Sequence, residues 1–208
     1  GITPADMPVI ARATKHAAGF DMPGKPSGDS GPPTALGVFV GLKAAIKHRL
    51  GADSAKGLTV AIQGLGKVGT NLAKRLHDEG AKLIVSDVNA DAVKKAVGAF
   101  GAKPVSADEI VTAECDVFSP NALGAILNDK TVDKIHAKVV AGAANNQLAR
   151  DEHGEALKAR GILYAPDYVI NGGGIIRVAG QIFEWSDAEV ERRVLAIAGT
   201  LTQIFKRA

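Results

Sequence analysis

From Leu58 onward, short unbroken apolar runs take turns with segments whose apolar residues recur at helical spacing. The runs Leu58–Gln63, Lys82–Ser86, Cys115–Phe118, Lys138–Ala141 and Ile162–Tyr164 are the kind of strand expected when both faces of a sheet are covered. Helical spacing marks Val68–Asp78, Asp91–Phe100, Ala107–Val111 and Arg150–Arg160 between them, then Gly174–Phe183 and Asp187–Phe205 after them. This alternation predicts an α/β fold of Rossmann type, a doubly wound parallel sheet with flanking helices, formed as one domain over residues 1–208. Upstream, Thr3-Pro4-Ala5-Asp6 supplies a capping hydroxyl, a proline for the first helical position and an acid for the first turn, so a helix is expected to about Lys15. A Pro/Gly/Ser-rich stretch from Phe20 to Pro33 reads as an exposed loop. Thr34 then opens a second helix that carries Leu36, Phe39, Val40 and Ile46 to Leu50.

Composition narrows the class. Aromatic residues make up only 4% while glycines number 24, a balance that suits close helix–sheet packing and backbone approach to a ligand better than a large aromatic core. The net charge of +3 comes from interspersed residues with no basic arm, so nucleic acid is not an expected partner. Cys115 is the lone cysteine, which excludes an intrachain disulfide and a thiolate metal cluster and fits a reducing, cytoplasmic setting. The histidines (His16, His48, His77, His136 and His153) lack ligand-like spacing, and no metal site is expected. No apolar run reaches the roughly 18 residues of a membrane span, and no signal peptide is recognisable. The chain opens at Gly1-Ile2-Thr3-Pro4 without an initiator methionine and reads as a fragment.

The strongest local signal is Thr59-Val60-Ala61-Ile62-Gln63-Gly64-Leu65-Gly66-Lys67-Val68-Gly69. An apolar strand runs into G-x-G-x-x-G and a helix follows. Gly64 suits the tight turn, Gly66 lets a pyrophosphate reach the backbone, and Gly69 permits close helix–strand contact. The helix N-terminus, with the amides of Leu65 through Gly69 around it, offers unpaired N–H groups and a partial positive charge to a diphosphate. Lys67 could lie near that diphosphate or simply be a solvated residue of the first turn. A second strand ends at Asp87, eighteen residues beyond Gly69, where a carboxylate can accept from adenosine ribose hydroxyls. A carboxylate there repels a 2′-phosphate and no arginine follows it, so the expected cofactor is NAD rather than NADP.

Three further segments carry a more specific likeness: Gly31-Pro32-Pro33-Thr34-Ala35-Leu36-Gly37-Val38-Phe39, Ala141-Gly142-Ala143-Ala144-Asn145-Asn146-Gln147, and Ala165-Pro166-Asp167-Tyr168-Val169-Ile170-Asn171-Gly172-Gly173-Gly174. With the glycine loop, and in this order, they resemble the glutamate/leucine/phenylalanine/valine dehydrogenase family, above all its leucine and phenylalanine branches. The resemblance implies reversible oxidative deamination, with hydride passing from the amino-acid Cα to nicotinamide and the imine hydrolysing to a 2-oxo acid and ammonia. It implies that Thr34 holds the nicotinamide carboxamide, although the same hydroxyl could cap a helix. Asn145 would lie beside the nicotinamide ribose or form an ordinary turn. Ser119, at the end of its strand, would touch the cofactor through its backbone. Asn171 would face the reacting end of the substrate or simply close a strand-to-helix turn.

Ile175 and Val178 match two positions that line the family's side-chain pocket, or else pack as ordinary helix core. A valine at Val178 offers a distal carboxylate no hydrogen bond, and burying it unpaired costs several kcal/mol, so glutamate is disfavoured. Ile175 would shrink the pocket toward leucine or another branched-chain substrate, whereas Val178–Ser186 and Thr200–Phe205 look more like the phenylalanine branch. Arg177 puts a cation next to these positions. The family's catalytic lysine lies in a glycine-rich motif of an N-terminal domain, and Gly1 resembles the glycine of the Val-Gly pair that follows its catalytic aspartate. The expectation is therefore a chain that binds NAD without turnover, cut from a parent enzyme that is a homo-oligomer. The rival readings are an NAD-sensing module and a Rossmann dehydrogenase acting on a folate or hydroxy acid.

Overall fold

A computed structural model describes residues 6–14, 17–21 and 29–207. The elements in chain order are α1 (Met7–Ala11), α2 (Gly31–Leu50), β1 (Thr59–Gln63), α3 (Lys67–Asp78), β2 (Lys82–Ser86), α4 (Ala90–Phe100), β3 (Lys103–Pro104) and β4 (Val117–Pro120). After a short 3-10 turn at Val132–Lys134 come β5 (Val139–Val140), α5 (Glu152–Ala159), β6 (Leu163–Tyr164), α6 (Asp167–Ile170), α7 (Gly173–Ile182), α8 (Asp187–Leu195) and α9 (Ile197–Phe205). The strands form one parallel sheet in the order β3-β2-β1-β4-β5-β6. Connections run outward from β1 in one direction and from β4 in the other, so the strand order switches between them and a crevice opens at their carboxyl ends.

Both faces of the sheet are covered, which is why its strands read as unbroken apolar runs. Val60 and Ile62 of β1 point into a core with Leu42, Ile46, Leu72, Leu76 and Leu201 from α2, α3 and α9. Ala61, between them, points to the opposite layer with Phe118, Val140, Leu127 and Leu157. Two glycines let the helices of the first layer close up. A Cβ on Gly37 would lie 2.8 Å from Ile197 Cδ1, and one on Gly41 would lie 2.7 Å from both Ile170 Cγ1 and Leu201 Cδ1.

The parallel, doubly wound sheet agrees with the sequence pattern, and the structure departs from it locally. β3 went unread because it is two residues long and contains a proline, tolerable only at a sheet edge. The expected helix at Ala107–Val111 is a capped turn: Ser106 N donates to Glu109 Oε2 (2.8 Å) and Glu109 N to Ser106 Oγ (3.3 Å), while Ile110 and Val111 bury themselves against the second core layer. The last helix breaks at Ala196 into α8 and α9, although the apolar positions Val190, Val194, Ile197, Leu201 and Phe205 run on through the break. The break itself, at Ala196, carries neither glycine nor proline. Finally, α2 starts at Gly31 after Ser30, so Thr34 sits one turn inside the helix, and its hydroxyl donates back to Ser30 O (2.7 Å) instead of capping. Of the expected first helix, α1 is present, while Thr3 and Lys15 lie outside the described residues.

Candidate active site: a crevice at the strand switch

β1 ends at Gln63 and the chain turns through Gly64, whose φ of +92° is a left-handed conformation that favours glycine. A side chain there is doubly barred, because its Cβ would meet Asn121 and Ala122 backbone atoms at 2.9 Å. Gly69 brings α3 against the same turn: its Cβ would fall 1.9 Å from Gly64 O. Gly66 is different. It precedes α3 in an extended conformation, a Cβ on it would meet nothing within 4 Å, and no side chain caps the helix behind it. The result is an open cradle in front of uncapped helix N–H groups, which fits a diphosphate.

Asp87 closes one side of this turn. Its Oδ2 accepts from Leu65 N (2.5 Å) and its Oδ1 from Asn89 N (2.7 Å), which fixes the carboxylate between the loop and the cap of α4. Next to it Val88 is 99% exposed, and across β1, beyond the end of β4, Leu123 is 85% exposed. Both residues stand just beyond the carboxyl end of a strand, and both leave a branched apolar side chain bare. Lys67 follows Gly66 as the first residue of α3 and reaches toward the start of α2: its ammonium lies 3.4 Å from Asp29 Oδ2, and Asp29 in turn accepts from Gly31 N (2.9 Å). The Gly31 amide, and behind it Lys67, hold the Asp29 carboxyl below its ordinary value.

On the other side of the glycine turn lies a cleft of about 390 Å³. Thr34 enters it from α2, Val68 from α3, Asn121 and Ala122 from beyond the end of β4, Ala143–Asn145 from beyond the end of β5, Asn171 from the approach to α7 and Ile175 from α7 itself. The glycine triplet explains how α2 and α7 come so close. A Cβ on Gly173 would strike Pro33 O at 2.1 Å, and one on Gly174 would lie 2.7 Å from Thr34 Oγ1. Asn171 Nδ2 donates to Asn145 Oδ1 (2.5 Å) and Ala143 O (3.2 Å). Both its amide hydrogens are committed, which leaves Oδ1 as an acceptor. Thr34 has likewise spent its hydroxyl proton on Ser30 O, so it meets a ligand as an acceptor.

Thus Thr34, Val68, Asn145, Asn171 and Ile175 share one cleft, and Gly64–Gly69 and Asp87 form the turn beside it. Two expected residues stand elsewhere. Ser119 is fully buried behind the cleft, its carbonyl and hydroxyl oxygens both accepting from Asn121 Nδ2 (2.9 and 3.0 Å). Val178, one turn beyond Ile175, lies under the Gly19–Phe20 segment that Gln181 fastens to α7, with Gln181 Oε1 accepting from Gly19 N at 3.0 Å and Nε2 donating to Phe20 O at 2.6 Å. Arg177 leaves the cleft altogether. It pairs with Asp187 in a separate groove of about 340 Å³ beside Leu36, Val190 and Val194. Asn121 was missed, though its place directly after the Val117–Pro120 strand on the crevice rim could have flagged it.

A model of the Glutamate/Leucine/Phenylalanine/Valine dehydrogenase family matches residues 28–96 and 86–207. The chain belongs to this family. It is 46% identical over 208 residues to a leucine dehydrogenase from Thermoactinomyces intermedius and 39% identical over 213 residues to a phenylalanine dehydrogenase from Caldalkalibacillus thermarum. The crystal structure of L-tryptophan dehydrogenase from Nostoc punctiforme superposes with a TM-score of 0.89 at 41% identity, covering 99% of this chain and 58% of that one. Glutamate dehydrogenase from Peptoniphilus asaccharolyticus, at 23% identity and a TM-score of 0.62, shares the fold. The chain spans all of its own length but only 57% of the leucine dehydrogenase and 58% of the phenylalanine dehydrogenase. Among the described residues, no helix is long and apolar enough to cross a membrane.

Proposed function

We propose that this chain is the NAD-binding portion of an amino-acid dehydrogenase that deaminates leucine or another branched-chain amino acid. The observation that carries the reading is the placement of two features along the carboxyl edge of one parallel sheet: an open glycine cradle with Asp87 beside it, and a cleft holding Thr34, Asn145, Asn171 and Ile175 on the other side of the glycine turn. Gly66 and the N-terminus of α3 would receive the diphosphate, Asp87 the adenosine ribose, and Thr34 the carboxamide nitrogen. Nicotinamide, when bound, supplies the hydride acceptor. Asn171 Oδ1 offers an acceptor to the donor end of an amino acid, and Ile175, 69% exposed on the cleft, offers an apolar wall to its side chain.

Charge supports the same choice. The described residues that line this cleft include no ionisable side chain. A second carboxylate on the substrate would be desolvated without a counter-ion, at a cost of several kcal/mol, which disfavours glutamate. The same lack leaves no general base or acid for deprotonating an amine or activating water. The chain alone is therefore expected to bind cofactor and not to turn over. NAD is favoured over NADP because a 2′-phosphate would face the Asp87 carboxylate.

Isothermal titration of the chain with NAD and NADP tests the cofactor half, and submicromolar to micromolar binding of NADP in preference to NAD would refute it. For the substrate half, an enzyme that contains this chain is assayed with leucine, valine, phenylalanine, tryptophan and glutamate. Leucine or valine should give the highest kcat/KM. A preference for glutamate would contradict the uncharged cleft, and a preference for an aromatic amino acid would show that Ile175 does not narrow it.

A further inference from the structure

We infer that Asn121 is a positioning residue for the nicotinamide half of the dinucleotide, a clasp that holds the two walls of the crevice in register. The inference rests on the NAD reading above. Asn121 stands where three segments meet. Its backbone N–H donates to Gln63 O at the entrance to the glycine turn (2.7 Å), and its carbonyl carbon and oxygen fill the space that a Cβ on Gly64 would need. Its side-chain Nδ2 donates to Ser119 O and Ser119 Oγ, which anchors it in the fully buried end of β4. Its Oδ1 accepts from Ala143 N (2.9 Å) on the loop that follows β5.

That last bond reaches the ligand side. Ala143 O accepts from Asn171, and Asn171 holds Asn145 by its Oδ1, so one chain of hydrogen bonds runs from Ser119 through Asn121, Ala143 and Asn171 to Asn145. Remove the Asn121 amide and the Ala143 N–H loses its acceptor. Ala144 N on Pro120 O and Gln147 Nε2 on Gly142 O still hold the loop, so it loosens at Ala143, where Asn171 is seated, without coming away from β4. The backbone of the glycine turn stays put, because Gly64 N is still bonded to Ser86 O and Leu65 N to Asp87. The damage should fall on the half of the cofactor that enters the Thr34–Asn145–Asn171 cleft and spare the half that rests on the cradle.

The test compares NAD with ADP, which carries the diphosphate and adenosine alone. Titrations use the wild-type chain, Asn121→Ala and Asn121→Asp, with hydrogen exchange at the Ala143 amide as a second readout. Asn121→Ala should weaken NAD on the order of tenfold, the worth of one or two lost hydrogen bonds, while ADP stays within about twofold. Exchange at Ala143 should quicken at the same time. Asn121→Asp keeps the Oδ1 acceptor for Ala143 N and should lose less than the alanine variant; if the alanine variant does not fold, Asn121→Ser, whose hydroxyl is too short to reach Ala143 N, must weaken NAD more than ADP. Equal affinities in variant and wild type overturn the inference. So does a parallel loss of NAD and ADP, which would make Asn121 a residue of the general fold. A wild-type chain that binds ADP no more weakly than NAD contradicts a nicotinamide half in this cleft, and one that binds neither sinks the cofactor reading itself.

Discussion

The second and third glycines of the turn look alike in sequence but make opposite demands, which a pair of alanine substitutions can separate. At Gly69 a methyl group would sit 1.9 Å from Gly64 O, and reaching even 3.0 Å requires α3 and the turn to part by about 1.1 Å. The obstacle is backbone, which has no rotamer to escape into, so the cost should reach the top of the 1–3 kcal/mol range of overpacked sites. For a chain of this size that lowers Tm by about 6–12 °C. At Gly66 the same methyl meets nothing within 4 Å, and φ −65° with ψ −167° is open to any residue. Stability should change by less than about 1 kcal/mol, the scale of a poorer helix cap. The added carbon would, however, occupy the cradle. If it displaces one charge-assisted hydrogen bond to the diphosphate, worth about 1.5–3 kcal/mol, NAD affinity falls roughly 10- to 100-fold. Differential scanning fluorimetry and calorimetric titration of Gly66→Ala and Gly69→Ala measure both quantities. A Gly66→Ala variant that binds NAD like wild type would refute the cradle, and a Gly69→Ala variant with unchanged Tm would refute the packing argument.

Asp87→Asn removes the charge that faces a 2′-phosphate; two like charges about 4 Å apart interact by about 1–4 kcal/mol between aqueous and surface-protein dielectrics, so the NADP-to-NAD ratio of dissociation constants should fall at least about fivefold, and an unchanged ratio would show that Asp87 does not discriminate. Ala125 lies at φ +56°, a left-handed conformation that strains an alanine by about 1–2 kcal/mol, so Ala125→Gly should gain about 0.5–1 kcal/mol in denaturant unfolding after the extra flexibility of the unfolded chain is counted; a destabilised variant would contradict this. Burial, with Asp116 and Glu114 adding to it, pushes the Cys115 thiol up to about 12, so its thiolate is scarce at neutral pH and the native chain should react with a thiol-disulfide reagent far more slowly than the unfolded one; rapid stoichiometric labelling of the native chain at pH 8 would refute it. The same raised value means that this group's contribution to stability is fully present below the ordinary thiol range near 9 and is lost as pH climbs from there toward 12, which unfolding curves across that interval can read.

Local chemistry dictated the parts of this protein that depend on neighbours in the chain. Unbroken runs such as Val60-Ala61-Ile62 announced strands buried on both sides, and the spacing of Gly64, Gly66, Gly69 and Asp87 announced a turn, a helix start and a carboxylate at the next strand's end, because each requirement is met within about two dozen residues. The three segments around Thr34, Asn145 and Asn171 were legible as well, yet their convergence was not, since it depends on Gly173 and Gly174 bringing α7 against the start of α2. Only tertiary packing could decide that Ile175 opens on the cleft while Val178 lies beneath Gly19, that Arg177 turns to Asp187, and that Ser119 is hidden behind Asn121. A strand of two residues at the sheet edge and a helix that breaks without glycine or proline leave no periodic trace to read. Long-range hydrogen bonds such as Asn121 to Ala143 are invisible for the same reason: sequence order carries local preference, whereas the partner of a polar side chain is chosen by which segments the sheet lays side by side.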